Sequence, residues 1–522
     1  MARPKSFRKE LVDLHRTLYK RNRVRINASV MGYTAEFRAY EGQYERAVRK
    51  YQRRATFEEL DRELTRADLV YVGDYHTLKQ AQRGFVRLLR RLPDDRPVIV
   101  ALEYIHGKHQ ALVDRWMRGA ATDEDLTDTV RGEQWALGGW PSFKQIFELA
   151  RDRGFSMLAI DSTGRLAARD KYAARRIARA LEKQPNARVL TLIGELHVSP
   201  DHLPRQVEAE LDEQRRRLII YQSSHEIYWQ LAERGHEHDV ELVKIAGDAY
   251  CLLGTPPIVA QQSFLNWVDV EEEEDLESPE ETFKEYARVI ASFFDIPLGH
   301  ALDEVEVTTV VNLSFLDRLR RRGDFSASDM RHIRRQILNS ESYFIPRAKM
   351  VYLGKLSINH AAEEATHYIR YICTGALEPS ALVDAFYARC MEEAIGFLGS
   401  KLLNHRRKAP SDAALEKLKR SRDKHDRVLA RAVLKHARLE AGEKVRGMRE
   451  IYEANADAFN AVTHVIGYRL GERLYYSVVS GDLPKRAIRE LFFERFEEEG
   501  NALMTFFSLV ARTRNVKMPE RL

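Results

Sequence analysis

Short apolar runs and helical periods alternate along residues 56–268. The runs fall at 69–72, 98–102, 157–160, 189–193, 218–221, 240–245 and 250–253. Most are apolar or β-branched at nearly every position, which predicts strands covered on both faces of a sheet. Between them, apolar residues recur with a helical period over 78–92, 109–118, 142–153, 165–183 and 203–213. This order predicts βαβ units and an α/β class: a largely parallel sheet flanked by helices. Gly247-Asp248, between the last two runs, predicts an antiparallel hairpin at the sheet margin.

Outside that region the period is helical. Residues 1–55 read as a helical N-terminal arm, rich in Arg, Lys and Tyr and turning at Gly32 and Gly42. An acidic run with a proline at 269–281 resists compaction and reads as a linker. Residues 282–522 predict a mainly α-helical domain, with long helices at 358–374, 380–403, 415–479 (with a break near Glu440-Ala441-Gly442-Glu443) and 485–511 and short strands at 305–311 and 344–353. Two helix pairs, turning at Thr374-Gly375 and Ser480-Gly481, form a faint internal repeat that fits a helical hairpin used twice.

Composition narrows the function. The net charge of +6 arises from 84 basic and 78 acidic side chains that are mostly interleaved, which points away from a nucleic-acid-binding stripe. No run approaches the roughly eighteen apolar residues of a membrane span. The opening M-A-R-P-K-S-F-R-K-E-L has neither an apolar stretch nor a lipidation cysteine, so the expected location is cytoplasmic. Cys251, Cys373 and Cys390 are too few and too scattered for a disulfide framework or a cysteine metal site.

The chemistry gathers where strands end. One run leads into Gly73-Asp74-Tyr75-His76, the next delivers Glu103, another Asp161, and a fourth leads into Gly194-Glu195-Leu196-His197. Ligands of open α/β sheets lie just beyond the carboxyl ends of the strands. With 27 glycines and 17 histidines in 522 residues, about one G-x-x-H is expected by chance, so the preceding strand is the discriminating feature. A third G-x-x-H, Gly235 to His238, follows a polar helical segment and is read as coincidence. Gly73 and Gly194 suggest either a backbone angle closed to other residues or a close approach.

Taken singly, each acid reads as a helix cap and each histidine as a satisfied polar group; four ionisable strand ends together read as a site. His76, Glu103, Asp161 and His197 offer ligands for Zn, Mn or Fe. Without a metal, His76, Glu103, Glu195 and His197 form an acid–base set able to activate water. Buried acids need a positive partner, for which Arg165 and Arg169 are the candidates.

The segments V-G-D-Y-H-T, A-L-E-Y-I, H-Q-A-L-V-D-R-W-M-R-G, the W-P-S-F-K-Q-I-F-E-L-A-R stretch and I-G-E-L-H follow one another over about residues 60–265. In this order they resemble the ChaN-type domain of the Tiki superfamily, which also holds erythromycin esterases and Tiki-type metalloproteases. The resemblance implies a site at Gly73, His76, Glu103, Gly194 and His197. It implies haem or iron binding for a ChaN-type member, and hydrolysis, sometimes metal-dependent, for the other branches. Asp74 stands where the family commonly has Glu, and Glu195 where a small residue is common in ChaN relatives. A tyrosinate can ligate haem iron, and Tyr75 and Tyr104 adjoin the motifs. Three expectations result: a haem- or metal-binding protein, a hydrolase of a small ester, amide or peptide, and an inactive scaffold whose helical domain binds a protein.

A second constellation lies in the helical half. His360, Glu363, Glu364 and His367 share one helix face. Glu364 to His367 makes an E-x-x-H, half of a carboxylate-bridged metal motif, with Glu392, Glu393, His464 and Glu497 to Glu499 as possible contributors. His360, Glu364 and His367 are the candidate ligands; a solvated charged stripe is the plainer meaning.

Overall fold

The structure is a computed structural model and describes residues 7–29, 34–131, 139–222, 224–271, 279–309, 314–338, 342–354, 357–375 and 381–518. The chain forms two compact units, Tyr19–Glu271 and Met1–Leu18 with Glu272–Leu522.

The first unit is built on an eight-stranded sheet. Its strands are β1 (Arg53–Arg54), β2 (Leu69–Asp74), β3 (Val98–His106), β4 (Ser156–Asp161), β5 (Arg188–Gly194), β6 (Arg217–Gln222), β7 (Leu242–Ala246) and β8 (Ala249–Leu252). They lie in the order β1-β7-β8-β6-β2-β5-β3-β4. Pairing from β8 through β4 is parallel, whereas β7 runs antiparallel to β8 and to β1. The predicted hairpin is therefore present, its turn at Gly247 in the left-handed region (φ 45°), but β1 rather than β7 forms the margin.

Alternation along each strand feeds two apolar layers. Val70, Val72, Val100, Leu102 and Leu192 join Leu89, Phe143 and Phe147 on one face. Leu69, Tyr71, Ile99, Ala101 and Val189 meet Ala173, Ile177 and Leu181 on the other. Helix Leu166–Lys183 covers that second face with a buried stripe of Asp170, Ala173, Ala174, Ile177, Ala178 and Leu181. The spacing of the stripe is that of an amphipathic helix, with one acid at its head.

The N-terminal helices are Phe7–Ser29 and Ala35–Ala47. Gly42 lies inside the second instead of turning the chain, and Gly32 lies outside the described residues. Most of the acidic run, 272–278, is also outside them; helix Pro257–Glu271 takes in its first residues and helix Pro279–Phe293 starts at its proline.

In the second unit, helices Ile358–Thr374, Leu382–Leu403 and Ala456–Ser480 are the most extensively buried elements among the described residues. A small sheet joins β10 (Tyr343–Ile345) antiparallel to β11 (Met350–Leu353), and β11 parallel to β9 (Glu306–Thr309). The run at 344–353 is thus two strands, because Lys349 turns the chain at φ 49°. The break expected near Glu440 within 415–479 is present, and two further breaks make the stretch four helices: Asp412–Leu418, Lys424–Glu440, Arg449–Tyr452 and Ala456–Ser480. Ser411, Asp423 and Asn455 cap new N-termini, and Gly442 and Gly447 take positive φ. Likewise 485–511 divides into Lys485–Phe493 and Asn501–Thr513. No helix among the described residues is long and apolar enough to cross a membrane.

Candidate functional site

Strands β2, β5, β3 and β4 are consecutive neighbours in the sheet and parallel, so their carboxyl ends open on one edge. That edge brings His76, Glu103, Asp161 and His197 together. Glu103 follows the last β3–β5 pair, Leu102 with Leu192, where the β3–β4 register shifts. Its parity puts it on the face covered by helix Leu166–Lys183, while Tyr104 turns to the other.

Glu103 is 3% exposed and lies between the two imidazoles. Its Oε2 is 3.7 Å from His76 Nε2 and its Oε1 is 3.7 Å from His197 Nε2. The backbone N–H of Gly194 donates to Oε2 at 2.5 Å, and Arg169 Nη2 donates to Oε1 at 2.5 Å. Burial opposes the Glu103 anion, yet Arg169, His197 and His76 together hold it below the usual glutamate range.

Each imidazole is fixed from behind by an aspartate. His76 Nδ1 lies 3.0 Å from Asp74 Oδ2, and Gln82 donates to the other Asp74 oxygen at 2.6 Å. His197 Nδ1 lies 2.6 Å from Asp170 Oδ1, and Tyr40 donates to Asp170 Oδ2 at 2.8 Å. Burial works against the His76 cation, but the Asp74 hydrogen bond and the Glu103 charge outweigh it and raise His76 to about 9.

Arg169 answers the need for positive charge; Arg165 is exposed at the start of the same helix. Arg169 also reaches Asp161 Oδ1 through Nε at 3.1 Å and Nη2 at 2.9 Å. His106 Nε2 lies 3.1 Å from Asp161 Oδ2. Burial pushes Asp161 up to about 6 against the pull of Arg169. Glu195 accepts from Tyr44 at 3.0 Å; burial raises it to about 7, with the Tyr44 bond opposing.

The glycines act through proximity. Gly194 has φ −46°, open to any residue, but a Cβ there would meet His76 Nε2 at 3.1 Å and Glu103 Oε2 at 3.4 Å. A Cβ on Gly73 would meet Glu195 Cα and Cβ at 3.3 Å. The alternative of a special backbone angle does not apply to either. Gly235 of the third G-x-x-H is a left-handed helix stop (φ 78°).

Tyr75 is half-buried beside His76. Tyr104 stands apart from the cluster: it stacks on Phe143 at 4.0 Å and on Trp140 at 6.3 Å inside the opposite apolar layer. Asp170, Tyr40, Tyr44 and His106 join the site without having been legible as candidates. An acid on the buried stripe of helix Leu166–Lys183 is the signal that marks Asp170.

In the helical unit, Glu363, His367 and Glu393 converge; of the candidates His360, Glu364 and His367, His367 belongs to this group. Glu364 Oε2 lies 3.5 Å from His367 Nδ1. His360 is half-buried on the wall of a nearby cavity.

Residues 60–168 match the family described as haem-binding uptake, Tiki superfamily, ChaN. The ChaN resemblance of the sequence motifs is thereby shown for the stretch that holds His76, Glu103 and Asp161; Glu195 and His197 lie beyond the match. Among solved structures, ChaN of Campylobacter jejuni, described with cofacial haem binding, is 17% identical, covering 33% of this chain and 88% of that one at a TM-score of 0.27. The type III effector HopBA1 is 15% identical over 38% of this chain and 97% of its own, also at 0.27. No curated protein matches this chain, and the helical unit has no family match.

The donor set is compatible with an iron porphyrin. His76 offers an imidazole whose Nδ1 is held by Asp74 and whose side chain stays 24% exposed. It is less suited to a bare cation, since Arg169 already occupies Glu103 Oε1 and Asp161 Oδ1. Among the described residues these four groups do not gather three donors within 4.8 Å of one another.

Proposed function

We propose that the α/β unit is a haem-binding domain and that His76 is the residue presented to the iron. The observation that supports this most is the state of His76 itself. It lies inside the stretch matched by the haem-binding uptake family, its ring is oriented by Asp74, and it is more open than Glu103, Asp161 or His197. An imidazole that shares its Nδ1 proton with a carboxylate presents Nε2 in a fixed direction and with raised basicity. Tyr75, next in the chain, is the alternative ligand; Tyr104 is committed to the aromatic layer. Haem bound there would supply an iron centre for ligand binding or electron transfer. The chain's own part is to hold the His76 ring and to keep Glu103 ionised beside it through Arg169.

Titration of the full-length protein with haemin tests this reading. A shifted Soret band at one equivalent is expected, lost in His76→Ala and kept in Tyr104→Phe. No shifted band in the wild type at stoichiometric haemin would remove it.

One observation favours a second reading. Two imidazoles, each backed by an aspartate, share Glu103 between them, and Glu195 changes protonation near neutral pH. A histidine polarised by a carboxylate can take a proton from water attacking a small ester, amide or peptide. Under this reading His76→Ala and His197→Ala each abolish turnover in an esterase and peptidase panel; full activity in either variant refutes it.

A further inference from the structure

We propose that the helical unit carries a metal site of its own, in which Glu363, His367 and Glu393 hold a divalent first-row transition ion such as Fe²⁺, Mn²⁺ or Zn²⁺. The argument begins with how closely the helices pack. On helix Ala456–Ser480, Gly467 and Gly471 lie four residues apart and so on one face. A Cβ on Gly467 would meet the Cys390 carbonyl oxygen at 2.6 Å, and one on Gly471 would meet Phe397 Cβ at 3.1 Å. Helix Leu382–Leu403 in turn presents Gly396 to the His367 ring and Gly399 to Thr366 of helix Ile358–Thr374. Small residues at both crossings let the three helices approach almost backbone to backbone, so short acidic side chains from different helices can meet.

What meets there is a ligand set. One donor atom from each of Glu363, His367 and Glu393 lies within 4.8 Å of the other two. Three donors about 2.1 Å from one ion lie about 3.4–3.6 Å from one another, so side-chain rotations that close up to about an ångström complete the site. Carboxylate oxygen with imidazole nitrogen is the donor mixture of Zn, Mn and Fe. His464 Nδ1 lies 2.8 Å from Glu393 Oε2 and orients that carboxylate from outside the donor triad, as hydrogen-bonded partners of metal ligands do.

Two further observations show groups that a cation would satisfy. Glu363 is 3% exposed and Glu364 5%, yet Glu363 Oε1 and Glu364 Oε2 are buried without a hydrogen-bond partner. A buried, unsatisfied carboxylate oxygen is costly unless something positive faces it. Arg407 takes Glu363 Oε2 at 2.8 Å and Arg389 takes Glu393 Oε1 at 2.6 Å. No arginine or lysine among the described residues lies within ion-pair distance of the third carboxylate, Glu364, whose contact is His367 at 3.5 Å. The cluster therefore sets three buried acids against two guanidinium groups, which leaves Glu364 with only His367 as a positive partner and gives a bound cation a carboxylate to face. Glu363, Glu364, His367 and Glu393 line a cavity of about 940 Å³, which gives the ion an entry path and leaves positions for water or a small ligand. Three protein donors with open positions are the pattern of a reactive centre; structural sites close all four.

The test uses the full-length protein, stripped with a chelator and titrated with Co²⁺ as a spectroscopic probe and then with Zn²⁺ and Mn²⁺. One equivalent bound, with visible d–d absorption for Co²⁺, is expected. The isosteric Glu363→Gln and Glu393→Gln abolish that uptake, and His464→Gln weakens it about ten- to a hundredfold while keeping the stoichiometry. His76→Ala, in the other unit, leaves it unchanged, which separates this site from the haem reading. Circular dichroism identifies a variant that has failed to fold; the same Co²⁺ titration of wild type against added imidazole then decides, because open positions predict a shift of the d–d bands. A wild type that takes up no metal overturns the proposal. So do glutamine variants that bind as wild type does, or bands that imidazole leaves unmoved.

Discussion

His197 donates through Nδ1 to Asp170 at 2.6 Å, and the Tyr40 hydroxyl holds the other oxygen of the same carboxylate. Asp170 is fully buried, so it sets the plane of the imidazole that faces Glu103. Replacing it by asparagine keeps the shape but removes the charge that accepts the His197 proton. Asp170→Asn is expected to cost about 1–3 kcal/mol, the penalty of a poorly satisfied buried donor. Urea unfolding measures it; an unchanged midpoint would show that the bond contributes nothing.

Stability should also depend on pH through His76. Its folded value is about 9 against 6.5 for the unsupported side chain. The folded state thus holds this proton more tightly, and the stabilisation is fully present below about pH 6.5 and lost as pH rises through about 9. Burial of Glu195, raised to about 7 from 4.5, works in the same direction at lower pH: the folded state loses ground as pH climbs from 4.5 through 7. Urea midpoints across this range should fall, and His76→Gln should flatten the upper part of the decline. A midpoint that rises between pH 7 and 9 contradicts the arrangement.

Gly194→Ala separates strain from occupancy. The backbone angle suits alanine, so the cost comes from a methyl group 3.1 Å from His76 Nε2. About 1–3 kcal/mol of destabilisation is expected from overpacking, with haemin affinity falling as the ring is displaced. Paired unfolding and haemin titrations check both effects; a variant that binds haemin as wild type does would mean that His76 is not the group presented.

Tyr104 supplies the contrasting case. Its ring is packed among Phe143 and Trp140, so Tyr104→Ala should cost about 3–5 kcal/mol. Tyr104→Phe keeps the stacking and should stay within about 1.5 kcal/mol. Thermal unfolding of the pair, with haemin titration of the Phe variant, distinguishes a packing residue from an iron ligand.

The strand ends of the α/β unit were legible because a strand buried on both faces reads as a nearly unbroken apolar run, and the first ionisable residue after it marks the sheet edge. Val98 to Leu102 delivering Glu103 is one example; Val189 to Ile193 delivering Gly194, Glu195 and His197 is another. Alternation from Ile99 through Ala101 puts Glu103 on the cluster face and Tyr104 on the other, so the facing was legible; the register shift after Leu102 left no trace in the pattern. Tyr40 and Tyr44 carry no such mark: they lie on a helix remote in sequence, and tertiary packing alone brings them to Asp170 and Glu195. In the helical half the period and the break at Glu440-Ala-Gly-Glu are legible, but the other stops are not, because Asp423 and Asn455 begin new helices inside a stretch whose apolar spacing continues. There the E-x-x-H spacing marks the helix that carries His367, while the grouping of Glu363 and His367 with Glu393 depends on contact across helices, which spacing along one helix does not carry.

The two phenols on helix Ala35–Ala47 have a consequence for anyone trimming this protein. They come from upstream of the stretch that matches the ChaN family, and each closes over a carboxylate of the cleft. A fragment begun at residue 56 would keep every motif residue and still be a different molecule: Asp170 and Glu195 would be hydrated, and the His197 ring would lose the tyrosine that flanks it. Its titration behaviour and ligand preferences would then describe the fragment, not the protein.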